Sequence, residues 1–581
     1  MDEARRRFLR SIEAGLVCAG ALGLAGRAGE SAAAAPPRPS LSLPQDRLRA
    51  SYDVVVVGSG YGGAIAAARL APGRSLCVLE RGNEWQPAAF PHRLTDVLAQ
   101  FRSDANPLGL FDYRAGADLD VLVGNGLGGT SLINANVVIA PERDVMAQAA
   151  WPAAIRNAYA TGAMDRHEAT VRQMLGVARI GDTHELRKHW LHRSSTRRRA
   201  RAGAAVTFAP LDLAVNLATT GAAPNAQGVW QSPCTHCGDC VSGCRVGAKN
   251  TLDVNYLPFA RQRGAELHTG FEVRRVERLA DGRWRVHYTA RSALFGTRQG
   301  AIVATHVVLA AGALGSTEIL LRSRDAGLRV SSALGLRFSA NGDLLGLGYN
   351  TDVQANVAGY GDAPPRDGAA RVGPTITSAA RYANTSIPQR YLIEEGALPS
   401  ALVDALRLAL PAGAGLPPTF QHERRIASDI AALRSHGAVN HSMVYLGIGH
   451  DSAGGRLRLG TDQRLALSWP GVMNEPFVAR IRAEMARHAQ AFAGRHVDSP
   501  RKHPLFGAAM TTVHPLGGCA MADAPSSGTV DADCRVYDGD GGAVHRGLYV
   551  MDGAVVSTSL GVNPLLTIAA LAERATERFV G

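Results

Sequence analysis

The chain has 581 residues, 46% hydrophobic and 19% charged, with a net charge of +12. It is apolar enough to bury a sizeable core, which excludes a disordered or fibrous polypeptide. The basic balance first suggests nucleic acid or an anionic surface, but only three of the 62 basic residues are lysines (Lys188, Lys249, Lys502). That bias follows genomic nucleotide composition as readily as a binding face, and no nucleic-acid partner is expected.

Arg5-Arg6-Arg7 precede Phe8-Leu9, an apolar run from Gly15 to Gly26, and the small residues Ala32 to Ala35. Basic, apolar and small segments in that order read as a signal peptide over residues 1–35, and the paired arginines resemble a twin-arginine signal. Such a route carries proteins already folded around a cofactor, so a periplasmic or secreted protein is expected. Residues 36–50 read as a linker, and no later stretch has the apolar length of a transmembrane helix.

Tyr52 to Val57 is an apolar run suited to a buried parallel strand. It is followed by Gly58-Ser59-Gly60-Tyr61-Gly62-Gly63 and a run of small residues at helical spacing. This strand, turn and helix give GxGxxG its meaning. Gly58 permits the turn, Gly60 lets the backbone approach a pyrophosphate, and Gly63 lets the helix pack on the strand. A second strand, Ser75 to Leu79, ends at Glu80, about twenty residues on, the spacing for a carboxylate on a ribose hydroxyl. NAD and FAD both use this unit. Two distant segments favour FAD: Gly124-Asn125-Gly126-Leu127-Gly128-Gly129-Thr130, running on to Asn134, and the C-terminal strand that ends Met551-Asp552-Gly553. Between them a strand from Ala301 to Leu309 leads into Ala310-Ala311-Gly312, a second turn of the same domain.

Residues 187–201 form a basic run with no interleaved aromatics to suggest base stacking beyond Trp190, and read as a solvated face. Cys234, Cys237, Cys240 and Cys244 have the C-x2-C-x2-C-x3-C spacing of a bacterial ferredoxin run, with Arg245 in place of the usual proline. An iron–sulfur cluster, a four-thiolate zinc site and disulfides or structural thiols are the three readings. A cluster here would let electrons leave a flavin for a cytochrome or quinone.

Taken together, these segments resemble the glucose–methanol–choline (GMC) family of FAD oxidoreductases, in its cholesterol-oxidase-like branch. The match is carried by the Gly58–Glu80 unit, Gly128-Gly129-Thr130-Ser131 with Asn134, His514-Pro515-Leu516-Gly517-Gly518-Cys519, and Gly561-Val562-Asn563-Pro564. The resemblance implies an α/β fold. A Rossmann-like FAD domain is built from residues 51–140, 235–345 and 510–581, interleaved with a sheet-plus-helices substrate domain from 141–234 and 346–509. It also implies that Ser59, Gly62, Arg81, Val273, Asn563 and Pro564 join the residues above in holding non-covalent FAD. An alcohol would be oxidised by hydride transfer to the flavin, with His514 taking the hydroxyl proton and Asn563 holding the substrate oxygen. A helix starting near Pro564 would point its N-terminus at the flavin. The alternatives are an FAD/iron–sulfur alcohol dehydrogenase and a non-catalytic flavin or metal electron-transfer protein.

Cholesterol oxidases of this family carry a Glu on a substrate-domain strand that moves a ring proton after oxidation. The segment that corresponds here is Val439 to Leu446; it holds no Glu, and His441 is the one residue in it able to move a proton. With this departure the isomerase step is left open, and the alcohol is read as sterol-like or otherwise apolar. Residues 355–425, with a helix-like stretch from Leu398 to Leu410, read as an insertion over an apolar substrate, and Glu394-Glu395 as polar groups at a pocket mouth.

Overall fold

The apolar run that precedes the glycine turn forms the buried strand Ser51–Val57 at the centre of a mixed sheet. A computed structural model describes residues 38–181, 186–219, 221–292, 296–361, 371–403, 405–407, 419–430, 437–498 and 510–579. The expected leader lies outside the described residues. Strand Ser51–Val57 pairs in parallel with Leu76–Leu79 on one side and with Gly296–Leu309 on the other. Glu266–His268 extends the sheet beyond Leu76–Leu79. The last residues of Gly296–Leu309 also take the C-terminal strand Val544–Val550 in parallel, at Leu309↔Val550. Its earlier part runs antiparallel to Trp284–Ser292, which pairs with Phe271–Arg278. Five parallel strands thus converge from distant parts of the chain, and their C-terminal ends share one edge, where open α/β sheets bind ligands.

A second sheet of six strands has the order Arg495–Asp498, Leu344–Tyr349, Met443–Ile448, Tyr391–Gly396, Ser378–Tyr382, Val206–Pro210. All its pairings are antiparallel. These strands come from the segments assigned to the substrate domain, with Leu344–Tyr349 crossing the boundary expected at 345. Residues 38–50 are not a free linker. Ser40, Leu41 and Ser42 bond the Glu84 carboxylate, Leu43 N–H donates to Leu267 O at 2.7 Å, and Arg38 pairs with Asp253 at 3.1 Å.

The basic run forms the helix Arg187–Arg201, but only one side of it is solvated. Arg187, Arg197, Arg198 and Arg201 are exposed, whereas Lys188, His189, His192 and Ser195 are buried against the second sheet. Lys188 Nζ donates to Glu395 and to Thr375 O, and the charge in the run is partly an internal ion pair. Among the described residues no helix is long and apolar enough to cross a membrane.

The helix Tyr61–Leu70 lies so close to the end of the C-terminal strand that a Cβ on Gly62 would stand 1.4 Å from Met551 O. A Cβ on Gly60 would meet nothing within 4 Å. Gly62→Ala is therefore expected to lose roughly 3 kcal/mol or more of stability, while Gly60→Ala keeps its melting temperature. Paired thermal melts check this, and equal melts for the two variants would reject the packing argument.

Candidate active site

A cavity of about 1860 Å3 runs from the fingerprint turn to the six-stranded sheet. Small-molecule sites usually span about 300–1,000 Å3, so there is room for a dinucleotide and a second molecule. Of the residues expected to hold the cofactor, Gly58, Ser59, Gly60, Gly62, Glu80, Arg81, Gly124, Asn125, Gly129, Thr130, Asn134, Val273, Ala311, Gly312, Asp552, Gly553, Asn563 and Pro564 line it. Gly63 and Gly128 do not. A Cβ on Gly63 would strike Gly58 O at 2.0 Å, and Gly128 N–H donates to Ser59 Oγ at 2.9 Å, so both serve packing behind the wall.

The same hydroxyl donates to Glu80 Oε2 at 2.6 Å, so Ser59 ties the first glycine turn to the second. Asp552 Oδ2 accepts from Gly312 N–H at 2.8 Å and from Ser316 Oγ at 2.5 Å, and burial lifts its pKa to about 6. Tyr61, which lines the cavity and was not expected, accepts from Asn134 Nδ2 at 2.9 Å. Three observations fit a dinucleotide here. Gly60 and Gly312 leave open space where a side chain would fill the cradle. Asn134 Oδ1 and Asn136 Nδ2 are buried without a protein partner. The helices that begin at Tyr61 and Leu565 both start on the cavity wall, where unpaired N–H groups favour negative charge.

The other end of the cavity is built on the second sheet. Leu345, Val444 and Leu446 line it, with Val444 and Leu446 two apart on one strand and hence on one face. Ala401, Leu402, Ala405 and Leu406 line it too, from helical residues 400–403 and 405–407. The expected stretch to Leu410 runs beyond the described residues.

His514 and Asn563 both stand in this wall. His514 follows the short strand Met510–Thr512, which pairs in parallel with Leu119–Gly124. Its Nδ1 lies 2.9 Å from Asp343 Oδ1, and its own backbone N–H donates to Asp343 Oδ2 at 3.1 Å. Nε2 is thus the atom left for a substrate. Burial disfavours the imidazolium, but the charge and hydrogen bond of Asp343, aided by Glu394, outweigh it and raise the His514 pKa above its ordinary value. Asp343 belongs to no sequence motif, and nothing in the pattern marks it.

Asn563 Nδ2 donates to Glu394 Oε2 at 3.2 Å. This corrects the expectation for the acidic strand. The strand with the Glu is Tyr391–Gly396, and Val439–Leu446 belongs to its neighbour, which begins only at Met443. Glu394 pairs in register with Leu446, so it shares the face that lines the cavity, while Glu395 pairs with Tyr445 on the other face, toward Lys188. Glu394 is fully buried rather than at a pocket mouth, and burial lifts its pKa to about 8. Among the described residues, Glu394 Oε1 and Asn563 Oδ1 have no hydrogen-bond partner. His441 is turned elsewhere, with Nδ1 3.0 Å from Thr351 O.

The four-cysteine run is not arranged as a metal site. Cys234, Cys237, Cys240 and Cys244 are free thiols, and among the described residues no group of three or more His, Cys, Asp or Glu side chains could hold a metal ion. Burial pushes the thiols of Cys234, Cys237 and Cys244 up. The run instead acts as a brace. Asp239 accepts from Ser400 N–H at 2.5 Å and Gly361 N–H at 2.8 Å, and Lys249 Nζ donates to Cys240 O at 3.0 Å and Asn134 O at 2.6 Å.

Comparison with known proteins agrees with this geometry. The N-terminal and C-terminal GMC oxidoreductase family models match residues 219–339 and 452–572. A cholesterol oxidase of Acinetobacter baumannii is 29% identical over 90% of this chain and 93% of its own. A cholesterol oxidase of Mycobacterium tuberculosis is 28% identical over 91% of each. A long-chain-alcohol oxidase of Arabidopsis thaliana is 25% identical over 90% of this chain and 66% of its own. Two solved structures share the fold: pyridoxine 4-oxidase from "Mesorbium loti" (TM-score 0.54, 17% identity, 91% of this chain and 99% of that one) and Aspergillus oryzae formate oxidase (TM-score 0.60, 12% identity, 91% and 98%). With the glycine turns, His514 and Asn563 all lining one cavity, the chain carries the N-terminal and C-terminal domains of the GMC oxidoreductase family models.

Proposed function

We propose that this protein is an FAD-dependent oxidoreductase that oxidises the CH–OH group of an apolar alcohol, sterol-like or long-chain. The observation that carries the reading is the meeting of His514 and Asn563, about fifty residues apart, on the cavity wall beside the helix that starts at Leu565. Bound FAD supplies the hydride acceptor. Asn563 donates the second hydrogen of its Nδ2 to the substrate oxygen and so orients the carbon, leaving the hydroxyl proton for His514. His514 Nε2 takes the hydroxyl proton, and Asp343 steadies the imidazolium that forms. The apolar side chains around them exclude water and select an apolar substrate.

Glu394 supports a second, proton-moving step of the kind the cholesterol-oxidase-like resemblance implies. With a pKa near 8 it is neutral at physiological pH and holds a proton beside Asn563. The electron acceptor is oxygen in this reading; the iron–sulfur alternative rests on cysteine spacing alone. The twin-arginine leader fits export of the folded flavoprotein.

His514→Ala is expected to keep its FAD and lose roughly 10²- to 10⁴-fold in the rate of flavin bleaching by a sterol or long-chain alcohol. Anaerobic stopped-flow absorbance measures it, and an unchanged rate would remove His514 from the mechanism. The pH profile gives an independent check. His514 must be neutral to accept a proton, so kcat/KM rises as pH passes its raised pKa. Asp343→Asn removes the charge that raises that pKa and leaves burial, which lowers it. The acid limb should then move to lower pH by roughly 1–3 pH units, and a limb that stays in place would show that Asp343 does not tune His514.

A further inference from the structure

His514 and Asn563 sit on separate segments, yet both are held by one short turn that neither motif includes. The turn is Ser339-Ala340-Asn341-Gly342-Asp343, just before the strand Leu344–Tyr349. Its three polar side chains are fully buried. Asp343 grips the His514 segment: its Oδ2 accepts from Thr512 Oγ1 at 2.9 Å, Val513 N–H at 2.9 Å and His514 N–H at 3.1 Å. Ser339 continues the grip, exchanging backbone hydrogen bonds with Leu516 at 2.9 and 3.0 Å.

Asn341 grips the other segment. Its Oδ1 accepts from Leu560 N–H at 2.8 Å and Gly561 N–H at 3.2 Å, and its Nδ2 donates to Val562 O at 2.8 Å. One side chain thus engages the three residues that precede Asn563. It can do so because its backbone takes φ 55, a left-handed conformation that asparagine tolerates better than most residues. The turn itself is pinned from behind by Asp451, which accepts from Ser339 Oγ at 2.8 Å, Ala340 N–H at 2.9 Å and Gly342 N–H at 3.0 Å. Every bond in this set is intramolecular and away from water, so each resists exchange with solvent and holds its partner's position.

We propose that the turn Ser339–Asp343 is a template that fixes the separation of His514 and Asn563, with Asn341 and Asp343 as positioning residues whose effects on the reaction are coupled. The proposal rests on the assignment of His514 and Asn563 to the reaction. A hydride and a proton leave one substrate in related steps, so the groups that take the proton and hold the oxygen must keep a fixed spacing. A displacement of about 1 Å can cost roughly 100-fold in rate.

The test compares holoenzyme carrying Asn341→Gly, Asp343→Asn or both, by the anaerobic rate at which saturating sterol or long-chain alcohol bleaches the flavin. Glycine keeps the left-handed backbone and removes the clamp. Asn341→Gly is expected to lose roughly 100-fold in rate with FAD content intact. Its acid limb should stay in place, because Asn341 carries no charge and the titratable groups facing His514, Asp343 and Glu394, are both retained. Once one clamp is lost the spacing is already free, so the double variant should be little slower than the worse single variant. A double loss equal to the product of the single losses, or a wild-type rate in Asn341→Gly, would overturn the template. If the glycine variant does not fold, Asn341→Asp keeps the acceptor for Leu560 and Gly561 but loses the donor to Val562. A smaller loss is then expected, and a wild-type rate would overturn the proposal. His514→Ala in the same assay separates the two ideas. If it bleaches normally, the assignment of His514 fails; if only it is slow while the Asn341 variants are not, the template alone fails.

Discussion

The ends of three parallel strands approach one another more closely than side chains would permit, and the cofactor end of the cavity exists because of it. A Cβ on Gly58 would lie 2.4 Å from Ala310 O, and one on Gly62 would lie 1.4 Å from Met551 O. These contacts bring the first strand, the strand Gly296–Leu309 and the C-terminal strand Val544–Val550 to a common edge. Met551 to Gly553, Ala310 to Gly312 and the fingerprint turn then face the same space. The approach also decides where the last helix runs. Leu565–Glu577 packs on Tyr61–Leu70, with Arg69 bonded to Glu573 at 2.7 Å, and its N-terminus is left at the cavity.

The second sheet solves a different problem, which is how to bury two adjacent acids beside the cavity. Adjacent residues on a strand point to opposite faces. Glu395 therefore meets Lys188 in a buried ion pair, and Glu394 faces the cavity side with only Asn563 as a hydrogen-bond partner. The paired acid accepts hydrogen bonds from Lys188, Thr377 and Ser378. The other is driven toward its neutral form because its desolvation outweighs the Asn563 hydrogen bond and the nearby His514. One dipeptide thus yields an anchored carboxylate and a protonated one.

The cysteine run is joined to the same centre by hydrogen bonds between side chains and backbone. Through Asp239 it holds the chain at 361 and 400, and through Lys249 it holds the loop that presents Asn134. Val241 and Ser242 reach the cavity wall between these two supports. A segment that spaces its cysteines like a ferredoxin run here links the cofactor end of the cavity to its apolar end.

The sequence alone determined the features that local geometry imposes. A valine run before GxGxxG must be a buried strand ending in a phosphate-binding turn, and Glu80, Asp552 and the second glycine segment follow from spacing. His514 and Asn563 were legible because their neighbours form short patterns that few other sites need. The tertiary structure decided what depends on which face meets which partner. Glu394 could not be told from Glu395 in one dimension, and the matching strand was misassigned to its register neighbour because antiparallel partners carry no shared sequence mark. Lys188 looked like part of a solvated run until helix packing turned it inward. Asn341 and Asp343 are short polar residues before a strand, ordinary in sequence. They acquire a role only because the fold brings residues 512–514 and 560–562 within hydrogen-bonding distance of them.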